Sequence, residues 1–184
     1  VDVVGVHWLT WQAAIPVDSP GLVDSFEDGN LTSDLNAEWI AAACSEGLEI
    51  EPLRVVNDEA GAALELELHG AGIASLNLDF APRDVSAYEG ICVRASSSAP
   101  LALSIELMAR DPVCETGYRF VNPATSAGVA SEPAERRFPF SAFAPEPGAC
   151  PPDEEGRLTG RLIHIGIFVT SEEPATLRVE DVSF

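Results

Sequence analysis

Apolar and polar residues alternate with a period of two through much of this chain. The clearest case is residues 62–82, where Leu64, Leu66 and Leu68 alternate with Glu65 and Glu67. After His-Gly-Ala-Gly, Leu76, Leu78 and Phe80 alternate with Asn77 and Asp79. Strand side chains point to opposite faces in turn, so each run has one dry and one wet face. Two such runs flanking a Gly-containing turn predict a β-hairpin. Further strands are predicted at 90–95 (GICVRA), 101–110 (LALSIELMAR), 117–121 (GYRFV), 136–143 (RRFPFSAF), 161–169 (RLIHIGIFV) and 176–184 (TLRVEDVSF). Their connections carry Ser, Pro and Gly, as in SSSAP, NPATSAG and PEPGACPPDEEG. The best helix candidate is LTSDLNAEWIAAAC, with Ser33 as a possible cap. Its neighbours are strands, and WIAAAC (39–44) is read as another. About ten short strands separated by turns predict an all-β fold, an antiparallel β-sandwich or barrel. No repeat of fixed period is present, which argues against a propeller or solenoid.

The two ends of this run of strands match. Residues 22–30 (LVDSFEDGN) and 176–184 (TLRVEDVSF) are short apolar-alternating segments, each with an acidic cluster. First and last strands often lie side by side in sandwiches, which would bring Glu27 and Asp28 close to Glu180 and Asp181. Crowded carboxylates repel unless a cation sits among them, and Ca²⁺ is the usual hard-cation occupant. Residues 1–20 stand apart: they hold two of the three tryptophans, and Pro16 and Pro20 punctuate the join. The predicted organisation is an N-terminal extension (1–20) and one sandwich domain (21–184). Val1, Val3, Val4, Val6, Trp8, Leu9 and Trp11 make the extension too apolar for a solvated tail. It is expected to pack back as an extra strand, or to add as a strand to a neighbouring copy.

Composition narrows the function classes. The 184 residues carry a formal net charge of −20, and no lysine occurs. Such a charge repels nucleic acid and anionic lipid, because phosphate binding depends on Lys and Arg. No apolar run approaches the roughly 20 residues that a membrane-spanning helix needs, so no membrane insertion is expected. The lysine-free, acidic make-up suggests a high-GC bacterial genome. The start at Val1 fits a mature chain that has lost a signal peptide, and the protein is expected to be secreted or surface-exposed.

Four cysteines, Cys44, Cys92, Cys114 and Cys150, lack C-x-x-C spacing. An even count without metal-site spacing fits disulfides and an oxidising compartment. In an up-and-down run of strands, the loops after 101–110 and 136–143 emerge at one end of the sandwich. Cys114 is therefore expected to pair with Cys150, leaving Cys44 with Cys92; a Cys44–Cys150 pair stays open, since four cysteines allow three connectivities.

The order of LVDSFEDGN, DVSAYEGICVRA, RRFPFSAF, IHIGIFV and LRVEDVSF resembles the jelly-roll carbohydrate-binding modules of bacterial glucanases. It also resembles the related complex I intermediate-associated, galactose-binding-like domains. The resemblance covers residues 22–184 and implies a jelly-roll sandwich. It further implies a structural calcium on Glu27 and Asp181, with Asp28 and Asn30 beside them and main-chain carbonyls completing the shell. Asp84, Ser86, Tyr88 and Gly90 match a stretch that turns the chain into a strand and are read as structural. Those modules stack sugar rings on exposed Trp or Tyr, whereas here the tyrosines are only Tyr88 and Tyr118.

Alternation also sketches a wet face. With Leu103, Ile105 and Leu107 inward, Ser104, Glu106, Met108 and Arg110 point outward. With Ile163, Ile165 and Ile167 in the core, His164 and Phe168 take the opposite face. A groove carrying Arg94, Glu106, Tyr118 and His164 could hydrogen-bond sugar hydroxyls or a carboxylate. Catalysis has no comparable signal: His7, His69 and His164 are scattered, and neither H-E-x-x-H nor G-x-S-x-G occurs. The expected function is a secreted, non-catalytic, carbohydrate-binding module with a structural calcium. The alternatives are a structural subunit of an extracellular fibre or layer assembled through the N-terminal strand, and an accessory domain of a larger enzyme.

Overall fold

The computed structural model describes residues 21–59, 61–111, 114–121, 127–145 and 161–184, with side chains for all of these except 111, 114–121, 127 and 145. The N-terminal extension, with any strand it donates, lies outside the described residues. Thirteen strands lie among the described residues: β1 (Leu22–Asp24), β2 (Trp39–Ala43), β3 (Arg54–Asp58), β4 (Gly61–Leu68), β5 (Gly72–Arg83), β6 (Gly90–Ser97), β7 (Leu101–Asp111), β8 (Cys114–Val121), β9 (Ala127–Val129), β10 (Ala134–Pro139), β11 (Ala144–Pro145), β12 (Arg161–Ser171) and β13 (Ala175–Ser183). A single 3₁₀ turn, Phe140–Ala142, is the one helical element among the described residues.

The strands form two antiparallel sheets. One has six strands in the order β10-β6-β13-β4-β3, with β1 also on β13. The other has seven, in the order β11-β8-β7-β12-β5-β2, with β9 also on β7. The inner faces of both supply one core: Leu64, Leu66, Leu177, Val179 and Ile91 from the first, and Leu76, Leu78, Leu103, Ile105, Leu107 and Ile167 from the second. This is the expected sandwich, and residues 39–43 are a strand rather than part of a helix.

Two expectations change. Residues 62–82 form no hairpin, because β4 pairs with β3 and β13 whereas β5 pairs with β2 and β12. The His-Gly-Ala-Gly connection carries the chain from one sheet to the other. In a sandwich both routes give the same dry and wet alternation, so the pattern cannot tell them apart. Ile163 is only partly buried, while Leu162 and Ile165 are fully buried. The register slips between Leu162 and His164, and a β-bulge there inserts Ile163 between two inward positions.

The matching ends do meet, with Leu22 opposite Ser183 and Asp24 opposite Val182. The first strand stops at Asp24, however, and the acidic stretch beyond it is a turn. Buried Phe26 has φ 59°, and its N–H donates to Asp24 Oδ1 at 2.8 Å. Asp24 Oδ2 accepts the indole N–H of buried Trp39 at 2.9 Å. Burial pushes the Asp24 carboxyl up to about 6 despite these two donors. At the Asp84–Gly90 stretch, Asp84 Oδ1 accepts the Ser86 N–H at 2.9 Å, and Tyr88 N–H donates to Val85 O at 3.0 Å. A Cβ on Gly90 would stand 2.5 Å from Phe138 O, so β6 and β10 approach too closely there for any side chain. This stretch turns the chain into β6.

Candidate binding face

The outer faces of the two sheets differ in kind. On the six-stranded sheet four arginines are matched by carboxylates. Arg54 bonds Glu65 and Glu67, Arg178 bonds Asp58 at 2.6 Å, Arg94 bonds Glu180 at 2.7 Å, and Arg137 bonds Glu135 at 2.5 Å. Such exposed pairs contribute little individually, and they make a well-solvated wall. Arg94 belongs to this wall, in register with Asp181 on β13. It therefore lies on the far side of the molecule from Glu106 and His164 and does not join them. Its place in β6 was legible; the sheet to which β6 belongs was not.

The seven-stranded sheet carries a different surface, laid out in rows by the ladder register. One row runs Glu106, Gly166, Asn77 and Ile40 across β7, β12, β5 and β2. On one side of it lie Met108, His164 and Asp79; on the other, Ser104, Phe168, Ser75 and Ala42. Cross-strand neighbours share a face and lie about 5 Å apart, so these positions form one continuous surface. Ile40 is 60% exposed, the most exposed large apolar side chain of the described residues.

Glu106 and His164, both expected at the site, come together here. His164 Nδ1 lies 2.7 Å from Asp79 Oδ1, and its Nε2 lies 4.0 Å from Glu106 Oε1. Glu106 is buried although it points away from the core, at 7% exposure. Tyr118 stands in register with the core-facing position Ala109, one step from the Met108–Arg119 pair, and its side chain lies outside the described residues. Asp79, Asn77, Ser75 and Phe168 complete the surface. Asn77 Nδ2 donates to Ser75 Oγ at 2.9 Å. Asp79 already stood among the wet positions of β5, but its partnership with His164 spans 85 residues and needs the pairing of β5 with β12.

Each acidic end makes hydrogen bonds within its own segment. Asp28 is engaged in its own turn, accepting the Asn30 N–H at 3.1 Å and the Asn30 side-chain amide at 2.6 Å. Asp181 accepts the Ser183 hydroxyl at 3.1 Å, and burial raises its carboxyl above the ordinary carboxylate range. Glu27 is exposed. No group of three or more His, Cys, Asp or Glu side chains suited to a metal ion occurs among the described residues.

The expected Cys44–Cys92 disulfide is not formed: among the described residues neither thiol is bonded to another. Cys44 follows β2 on the seven-stranded sheet, with its Sγ 3.4 Å from Ser75 Oγ on that sheet's outer face. Cys92 lies in β6 of the other sheet, between inward-facing Ile91 and Val93. A disulfide needs Cα atoms within about 7 Å, and packed sheets are already about 10 Å apart. Cys150 lies outside the described residues, and with it both the expected Cys114–Cys150 pair and the alternative Cys44–Cys150 pair.

No family model matches the chain by sequence, and no curated protein does. Solved structures match it by shape. A family 11 carbohydrate-binding module from Clostridium thermocellum, in complex with a β-1,3-1,4-mixed-linked tetrasaccharide, superposes with a TM-score of 0.63 at 19% identity, over 89% of this chain and 93% of that one. The chain has the fold of the carbohydrate-binding modules. A family 30 module of a cellulosomal cellulase from the same organism gives 0.58 at 13% identity, over 88% and 95%. An exo-β-agarase gives 0.54 at 12% identity, with 89% of this chain on only 25% of that one. These structures support the glucanase-module half of the resemblance. No helix among the described residues is long and apolar enough to cross a membrane.

Proposed function

We propose that this protein is a non-catalytic module that binds a neutral polysaccharide on the outer face of its seven-stranded sheet. The observation that carries the proposal is the contrast between the two faces. The six-stranded wall is closed by ion pairs, whereas the rows through Glu106, His164, Asp79, Asn77 and Ile40 combine hydrogen-bonding groups with apolar ones. Sugar recognition needs that mixture: polar side chains meet hydroxyls and apolar side chains meet the C–H faces of the rings. The paired His164 and Asp79 hold one another in place, so little ordering cost remains when a ligand arrives. The fold shared with carbohydrate-binding modules supports the same reading.

The module is proposed to be secreted and to act outside the cell. Calcium is part of the proposal as a structural ion at the junction of β1 and β13. It would take Asp181 with Glu27 or Asp28, and main-chain carbonyls would supply most of its six to eight oxygens. Affinity electrophoresis through gels containing soluble neutral polysaccharides tests the function. Retardation by at least one of them is expected, and a loss of retardation in His164→Ala. Unretarded migration of the folded protein through every gel would overturn the proposal.

A further inference from the structure

Four strands end the paths of the two sheets, and three of them carry groups that discourage a further strand. β3 has Arg54 and Asp58, both ion-paired; β10 has Glu135, Arg136, Arg137 and Pro139; β11 ends in Pro145. β2 has neither charge nor proline, and its residues, Trp-Ile-Ala-Ala-Ala, pair with β5 in unbroken register. The Cys44 N–H donates to Ile73 O at 2.7 Å on the β5 side, whereas the Trp39 N–H donates to Leu31 O at 2.9 Å on the other. Main-chain groups alternate in direction along a strand, so Ala41 and Ala43 turn their N–H and C=O away from β5. Among the described residues nothing pairs with them there. Ile40 and Ile73, the two exposed large apolar side chains of the described residues, lie beside this edge on the outer face.

The chain holds a segment suited to that edge. Residues 3–17 are its longest stretch without Asp, Glu, Lys or Arg. Within it Val3, Val4, Val6, Trp8, Thr10 and Trp11 are β-branched or aromatic, the types that favour strands. An uncharged segment lies against an uncharged edge without adding a carboxylate there, in a molecule of net charge −20. Its tether begins close by. Val23 O of β1 accepts the Asp34 N–H at 3.0 Å, and Leu31 of the same connection borders β2. Residues 12–20 can span up to about 30 Å, more than this separation requires. A short tether raises the effective concentration of the segment at the edge.

We propose that the segment containing Trp8 and Trp11 adds as a strand to the outer edge of β2 in the same molecule. It thereby places one tryptophan on the sugar-binding face, beside Ile40. Successive side chains of a strand alternate in direction, and these two tryptophans are separated by an odd number of positions. One ring therefore faces outward whichever register forms. Bonds to Ala41 and Ala43 hold the strand, and the outward ring continues the row of Gly166, Asn77 and Ile40 as a flat apolar platform for the C–H face of a sugar. The platform rests on the sugar-binding reading above; the docked strand does not.

Two measurements on the full chain separate these parts. The first is amide hydrogen exchange by NMR, without any sugar. Ala41 and Ala43 should be as protected as Ile40 and Ala42, whose N–H groups point to β5, and should show nuclear Overhauser contacts to residues 8–11. Ala43→Pro removes only an outward donor. It should expose Ala41 and residues 8–11 while Ile40 and Ala42 stay protected, which also reports that the variant is folded; where it does not fold, the wild-type exchange decides. Fast exchange at Ala41 and Ala43 in the wild type, contacts from another segment, or protection lost on dilution to monomer overturns the docked strand. The second measurement is affinity for a neutral polysaccharide that retards the wild type. One of Trp8→Ala and Trp11→Ala should lose about tenfold or more, as for truncation of an aromatic anchor. The change in tryptophan fluorescence on binding should vanish in that same variant, because Trp39 is 1% exposed. Equal affinities of the two variants, both kept or both lost, overturn the platform and leave the sugar-binding reading standing. Absence of wild-type binding to every neutral polysaccharide overturns that reading and the platform with it, while the exchange result still decides the strand.

Discussion

Asp24 offers the sharpest quantitative test of how this fold is held together. It is 4% exposed, and its carboxylate joins β1 to the core by accepting from Phe26 N–H and Trp39 Nε1. Burial lifts its pKa from an ordinary 3.8 to about 6. Between those two values the folded state holds a proton that the unfolded state has released. Stability therefore falls as pH rises through the window and levels off above the folded value. The full shift corresponds to about 3 kcal/mol at 1.36 kcal/mol per unit, and integrating from about pH 4.5 to about pH 7 leaves about 2 kcal/mol. Asp24→Asn removes this titration. Its amide accepts from one of the two donors and opposes the other, which costs about 1–3 kcal/mol at any pH. The stability advantage of the wild type over Asp24→Asn should thus shrink by about 2 kcal/mol between the two pH values. Other carboxylates titrate identically in both proteins and cancel. Urea unfolding of both proteins at each pH reads the difference directly. A pH-independent gap, or one that widens as pH rises, would refute the reasoning that burial dominates the Asp24 environment.

Three further outcomes are expected. Gly90→Ala should lower stability by about 1–3 kcal/mol, because its Cβ meets the backbone of β10 rather than a movable side chain; a urea midpoint within error of wild type would sink this. In the native protein exposed Cys44 should react rapidly with a thiol reagent. Cys92 should react slowly, being half-buried with its thiol pushed up first by burial and then by Glu135; a peptide linking the two in a non-reducing map would contradict the sheet assignment. If the proposed calcium is bound at 100-fold over its dissociation constant, it adds about 2.7 kcal/mol. Chelation should then lower the melting temperature, and Asp181→Ala should abolish the difference; an unmoved transition in protein shown by metal analysis to lack calcium removes the ion from the proposal.

Local chemistry alone decides a good deal of this protein. Alternation at Leu64–Leu68, Leu76–Leu78 and Leu103–Leu107 names both the strands and their inward residues, because a pleated backbone sends side chains to opposite faces whatever its partners are. It likewise puts Glu106 and His164 on wet positions and Arg94 opposite Val93. Period-two patterning carries no record of which strand lies beside which. That is why the connection between β4 and β5 reads as a hairpin in sequence and crosses between sheets in the structure. The same silence groups Arg94 with Glu106, and Cys44 with Cys92, although pairing sends the members of each couple to opposite walls. A one-residue bulge at Ile163 is equally invisible, since it depends on how β12 fits two neighbours at once. The contact that defines the candidate site, Asp79 with His164 over Gly166, joins residues that only the antiparallel register of β5 and β12 makes adjacent. The amino-acid order determined what each strand offers to water and to the core. The tertiary pairing, a long-range choice made by packing two sheets around one core, decided which of those offerings face the same ligand.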